Sequence, residues 1–154
     1  MWRTAFLVCL FSCGAVMAES AVQPLVKWTL LDQNDEAFTL DDMTQVVLVA
    51  RSMSAAKMLN AAVEDYPEGY LEARHIAYVA DIEMMPSLVK MVAVPAMRSA
   101  KYRILLDQDG RVARKYGGDR ETVQWLSLKN GAVVNEQRFV DGAMLKQAIE
   151  AWGQ

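Results

Sequence analysis

The five residues Val46-Val47-Leu48-Val49-Ala50 constrain this chain more than any others. They form a continuous apolar, largely β-branched run, so the strand Gln45 to Arg51 offers no polar face to water. A strand buried on both sides belongs inside a sheet that is covered by helices above and below, as parallel sheets are. A second run of the same kind, Ile76-Ala77-Tyr78-Val79-Ala80 within His75 to Ile82, supplies a neighbour. Between the two the period becomes helical: Ala55, Met58, Leu59, Ala62, Val63 and Tyr66 share one face, with Ser52 or Ser54 as N-cap and Pro67 as the stop.

The flanking segments fill in the order. Leu25 to Leu31 reads as a strand, Asp32 to Glu36 as a polar turn, and Ala37 to Leu40 as the returning strand. A short helix is expected with Pro86 in its first turn and Leu88, Val89, Met91 and Val92 on its inner side. Tyr102 to Asp107 is a third strand, closed by the turn Gln108-Asp109-Gly110. Val123 to Leu128 and Ala132 to Val140 flank Lys129-Asn130-Gly131, and an Asn-Gly between strands is a strong hairpin signal. Asp141 caps a last helix with Met144, Leu145, Ala148, Ile149 and Trp152 inward. Strand–helix–strand units pair in parallel and hairpins add antiparallel edges, which predicts an α/β fold: a mixed sheet with helices on both faces and an N-terminal β-hairpin.

With 154 residues and no internal repeat, the chain has room for one core. Its front is of another kind. Met1-Trp2-Arg3 is a short basic start, Thr4 to Gly14 is apolar and too short to span a bilayer, and Ala15-Val16-Met17-Ala18 has small residues at the positions a signal peptidase reads. Residues 1–18 are therefore expected to be a signal peptide and 19–154 a single domain in the periplasm. The alternative is a lipoprotein anchored at Cys13, since Leu10-Phe11-Ser12-Cys13 approximates a lipobox. Both cysteines, Cys9 and Cys13, lie in this front segment, so a chain starting at Glu19 has none. In an oxidising compartment disulfides would be permitted, and this domain does without them. Trimming also removes Arg3, leaving fifteen Lys and Arg against nineteen Asp and Glu. The charges are interspersed, so neither a nucleic-acid footprint nor a polybasic stripe for anionic lipid is present.

The order of elements resembles the thioredoxin superfamily in its peroxiredoxin-like and exported branches, over nearly all of residues 19–154. Trp28-Thr29-Leu30-Leu31-Asp32 with Phe38-Thr39-Leu40 looks like the opening hairpin of those proteins, and Val46 to Ala50 like the strand that leads to their active site. Tyr102 to Tyr116, containing Leu106 to Ala113, is similar to the segment peroxiredoxins carry before the last hairpin, and Val123 to Val134 looks like that hairpin. The chemistry-bearing positions depart from the pattern. Family enzymes present a cysteine at the start of the helix after that strand, where the helix N-terminus lowers the thiol pKa. Here the stretch reads Arg51-Ser52-Met53-Ser54-Ala55-Ala56-Lys57, and Glu121-Thr122 replaces the family's proline before the last hairpin. A serine hydroxyl is too weakly acidic to stand in for a thiolate. Thiol–disulfide exchange and cysteine peroxidase activity are thus not expected. The chain also looks like short exported bacterial proteins, some of them called FAD/FMN-containing dehydrogenases. No Gly-rich dinucleotide fingerprint follows a strand here and no second domain fits, so no cofactor is expected.

Other constellations are weak. Ser54-Ala55-Ala56-Lys57 matches the Ser-x-x-Lys of penicillin-recognising enzymes, but Ser-Asp-Asn and Lys-Thr-Gly partners are absent. Arg51, Ser52, Ser54 and Lys57 nevertheless gather at one helix N-terminus, where N–H groups can hold an anion, and they are the candidate ligand-binding residues. Met84, Met85, Met91 and Met97 are soft enough for copper(I), yet methionine is also a common core filler, the reading taken for them. His75, the one histidine, has no partner for zinc. Asp107 and Asp109 resemble the start of a calcium loop, but Arg111 and Ala113 supply no oxygen, which leaves a turn. The expectation is a non-catalytic module for an unidentified periplasmic protein or a small anionic ligand. The alternative is an enzyme of non-thiol chemistry at Arg51, Ser52, Ser54 and Lys57, or a flavin-dependent oxidoreductase.

Overall fold

In the computed structural model, which describes residues 27–154, the central apolar run forms strand β3 (Val46–Ala50), every residue of it buried. The expected leader, with Cys9 and Cys13, lies outside the described residues. Before β3 come β1 (Thr29–Asp32) and β2 (Ala37–Thr39), an antiparallel hairpin. After it come α1 (Met53–Val63), β4 (Ile76–Asp81), α2 (Ser87–Met97), β5 (Leu105–Asp107), α3 (Arg111–Tyr116), β6 (Val123–Lys129), β7 (Ala132–Phe139) and α4 (Gly142–Ala151).

The strands make one seven-stranded sheet in the order β2-β1-β5-β4-β3-β6-β7. β3, β4 and β5 run parallel, as their helical crossovers dictate, while β1 joins β5 and β6 joins β3 antiparallel. The Asn-Gly turn closes the β6–β7 hairpin with Asn130 at φ 51° and Gly131 at φ 75°, the left-handed pair a two-residue hairpin turn demands.

Alternate residues of the buried strands feed two cores. Val46, Leu48, Ala50, Ile76, Tyr78 and Ala80 face α1, α2 and α4, meeting Leu59, Val63, Leu145 and Ile149. Val47, Val49, Ala77, Val79 and Leu105 face the other way onto α3, meeting Val112 and Ala113, with Trp28, Leu40 and Leu126. Each large side chain buried in this way contributes about 1.5–3 kcal/mol, so the two-sided burial of β3 holds both layers to the sheet.

Three details differ from the sequence reading. Leu88, Met91 and Val92, expected on the inner side of α2, are 79%, 72% and 73% exposed, and Val89 is exposed as well. The helix packs instead through Val94 and Met97, joined by Met85 before it and Ala100 after it. Met85 and Met97 thus serve as core filler, whereas Met84 and Met91 point to solvent. Arg111 to Tyr116 is a helix that the sequence reading passed over, flanked by Gly110 and Gly117, both at positive φ. Met144, expected inward on α4, is exposed, while Leu145 and Ile149 are fully buried.

Candidate functional site

The carboxyl ends of β3 and β4 stop side by side, and in open α/β sheets that edge is where ligands bind. At this edge a pocket of about 390 Å³ opens between α1 and α2. Ala50, Ala80 and Ile82 belong to its sheet side, Ser52, Met53, Ala56, Lys57 and Asn60 to its α1 side, and Met84, Met85, Pro86, Val89 and Met97 to its α2 side. Arg51, Asp81 and Arg120 complete it. The lining is mainly aliphatic and thioether surface with a few polar groups, the make-up of a small-molecule or side-chain pocket.

Ser52 is the N-cap of α1: its extended backbone (φ −151°, ψ 167°) lets Oγ accept the Ala55 N–H at 3.1 Å. The Ser54 hydroxyl lies 3.0 Å from that of Ser52 and faces outward, so Ser54 does not line the pocket. No histidine or carboxylate hydrogen-bonds either hydroxyl among the described residues, and a serine without a base beside it is a poor nucleophile. Lys57, one turn further along, is exposed at the pocket rim and makes no ion pair among the described residues.

Arg51 is committed differently. Its Nε donates to Asp81 Oδ2 at 3.1 Å and its Nη1 to the Gly118 carbonyl, and the Asp81 carboxylate beneath it is fully buried. The second oxygen of Asp81 accepts the Glu83 N–H at 3.1 Å. Arg120 donates to the Arg51 carbonyl at 2.8 Å and lies 3.9 Å from Asp81, leaving its own charge partly exposed. The fold therefore brings Arg51, Ser52 and Lys57 to one pocket, where Arg51 and Arg120 share the Asp81 carboxylate and Lys57 is the cation without an ion-pair partner among the described residues. Asp81, Asn60 and Arg120 escaped the sequence reading. An ionisable residue ending an otherwise apolar strand was the one available signal for Asp81; a loop arginine such as Arg120 carries none.

Next to this edge the parallel register sets Asp81 beside Asp107. Asp107 is fully buried; its Oδ2 accepts the Val112 and Ala113 N–H groups at 2.9 and 2.8 Å, and its Oδ1 has no partner among the described residues. Burial raises its pKa above the usual carboxyl value, and the nearby charges of Asp81 and Asp109 push the same way, against the two backbone donors. Asp107 and Asp109 thus form a turn that starts α3, with Asp109 accepting the Arg111 N–H. In the loop before β6, Asp119 organises the backbone. One of its oxygens accepts the Glu121 and Thr122 N–H groups, both at 2.8 Å, and Arg138 reaches the other at 2.8 Å. Slight burial opposes these donors, but they win and hold the Asp119 pKa at about 2.

No family model matches the chain and no curated protein matches it significantly. Solved structures do. The pneumococcal exposed lipoprotein thioredoxin Etrx1 of Streptococcus pneumoniae strain TIGR4 matches 80% of this chain and 98% of its own, at TM-score 0.56 and 16% identity. StoA of Bacillus subtilis matches 80% of this chain and 96% of its own, at TM-score 0.55 and 11% identity. The chain has the thioredoxin fold. Peroxidoxin BcpB of Mycobacterium tuberculosis also matches, over 81% of this chain and 92% of its own, at TM-score 0.52 and 15% identity. At such identities the likeness is one of fold. No helix among the described residues is long and apolar enough to cross a membrane.

Proposed function

We propose that this chain is an exported, thioredoxin-like binding module that runs no thiol chemistry and holds its ligand in the pocket between α1 and α2. One observation carries the reading. Where redox members of the superfamily place a cysteine, the helix start carries Ser52 and Met53, and beside it lies a largely apolar cavity of about 390 Å³. The sequence adds that no cysteine follows Cys13, so a chain trimmed after Ala18 has no nucleophilic thiol. The exposed lipoprotein thioredoxin among the similar structures is in keeping with a location outside the cytoplasm. An intact mass that begins at Glu19 in the periplasmic fraction supports soluble export; a lipidated Cys13 points to the anchored form.

The binding reading is tested with 1-anilinonaphthalene-8-sulfonate, an apolar anion whose emission rises out of water. Saturable binding is expected, weakened at least about tenfold by Val89→Glu, which places a carboxylate in an apolar lining, and several-fold by Lys57→Gln. Affinity unchanged in both variants contradicts the pocket as the site.

A further inference from the structure

Among the described residues, the outer face of α2 is used by neither the fold nor the pocket. No residue of this helix is fully buried, and Leu88, Met91 and Val92 recur at helical spacing along its solvent side. Met84, 72% exposed, extends the stripe at the front, and Met53, 52% exposed, lies across the pocket mouth on α1. Met84 and Val89 also line the pocket, so stripe and cavity are one surface. Bare aliphatic area on that scale, on the order of the several hundred Å² that mark interaction sites, goes with binding. We infer that this surface docks an apolar-faced, acidic helical segment of a partner protein, with one large side chain of that segment seated in the pocket. The inference rests on the binding reading above and names the class of partner.

Four observations select this occupant. A small molecule would fill the cavity and leave Leu88, Met91 and Val92 in water, whereas a helix laid along α2 covers both, the helix-in-groove mode. A recessed pocket beside a bare rim is the anatomy of an anchored interface, where a few buried side chains carry most of the affinity. Methionine-rich surfaces repack around such anchors, and Met53, Met84, Met85 and Met97 all line the pocket. The charge sign is set by Lys57, Arg51 and Arg120. The one carboxylate among the lining residues, Asp81, is buried and shared by Arg51 and Arg120, so three cations outweigh it and the mouth is cationic on a chain whose net charge is −3. An acidic flank on the partner complements it. A second copy in an isologous contact would bring these cations onto each other. A flat bilayer leaves the recess unfilled.

The probe is a fluorescein-labelled synthetic peptide of about four helical turns with leucines on one face and glutamates on the other, titrated into the full chain by anisotropy. One-to-one binding that weakens with salt is expected. A peptide with lysines in place of the glutamates should bind at least about tenfold more weakly, and Leu88→Glu and Met91→Glu should each cost about tenfold. Both positions are solvent-exposed, so the thermal midpoints of these variants should match wild type. Equal affinity for the acidic and basic peptides overturns the proposal. So does tighter binding to vesicles of anionic phospholipid than to the peptide, or a dimer in sedimentation that Leu88→Glu dissolves. If the dye still fills the pocket while the acidic peptide does not bind, this inference fails and the binding reading stands. If the dye also fails to bind, the reading beneath it fails too.

Discussion

At the scale of single residues, three carboxylates and one hydroxyl carry distinguishable signals. Asp119 and Asp32 both have depressed pKa values. Desolvation opposes, and backbone N–H groups with Arg138 or Arg103 prevail. A depressed acid stabilises the fold above its unfolded pKa and loses that effect as pH falls through its folded value. Urea midpoints should therefore drop between pH about 4 and about 2, and Asp119→Asn should flatten part of that slope. Asp107 has the opposite sign. Its raised pKa means that the folded state resists ionisation, so its stability deficit is absent at low pH and grows as pH rises above about 4. Asp107→Asn retains an acceptor for the α3 N–H groups, so it should gain on wild type in urea melts as pH is raised toward neutrality. Ser52→Ala should cost about 1 kcal/mol through loss of the α1 cap, and Ser54→Ala less than about 0.5 kcal/mol. The sequence offered both serines as the cap, and the hydrogen bond from Ala55 selects Ser52.

Among the elements, legibility followed how far each segment is determined by its own pattern. β3 and β4 were plain because an unbroken β-branched run has one comfortable place, the middle of a covered sheet. The last hairpin was plain because Asn130 and Gly131 accept a left-handed backbone that most residues resist. Gly131→Ala should accordingly destabilise by more than about 1 kcal/mol in thermal melts. α2 was misread for a physical reason: Ser87 to Met97 is apolar all round apart from Ser87 and Lys90, so periodicity could not say which side faces the core. Leu88→Glu should leave stability within about 0.5 kcal/mol, whereas Ile149→Ala on α4 should cost about 2–5 kcal/mol. α3 was missed because its six residues are too short to show a period, and its start is fixed by the distant-looking Asp107 carboxylate instead of a cap beside it. Of the site, Ser52 and Lys57 were visible in sequence as neighbours on a helix start. Asp81 and Arg120 arrive from β4 and a late loop, and only the sheet register and the chain's return bring them there.

On the scale of the whole molecule, the thioredoxin fold carries an ion pair and an apolar pocket at its carboxyl edge. An Arg51–Asp81 ion pair, anchored to the Gly118 carbonyl, ties the end of β3 to β4 and to the loop before β6. Asp119 fixes that loop by accepting the Glu121 and Thr122 N–H groups. Above them lies an apolar pocket with a cationic mouth, continuous with a bare helix face. Such a surface suits recognition, and the reading that it binds without exchanging disulfides rests on the absence of a thiol after residue 13. The rate at which dithiothreitol reduces insulin disulfides, measured with and without the chain from Glu19 onward, tests this most directly. The predicted rate is that of buffer alone; an acceleration that scales with protein concentration would contradict it.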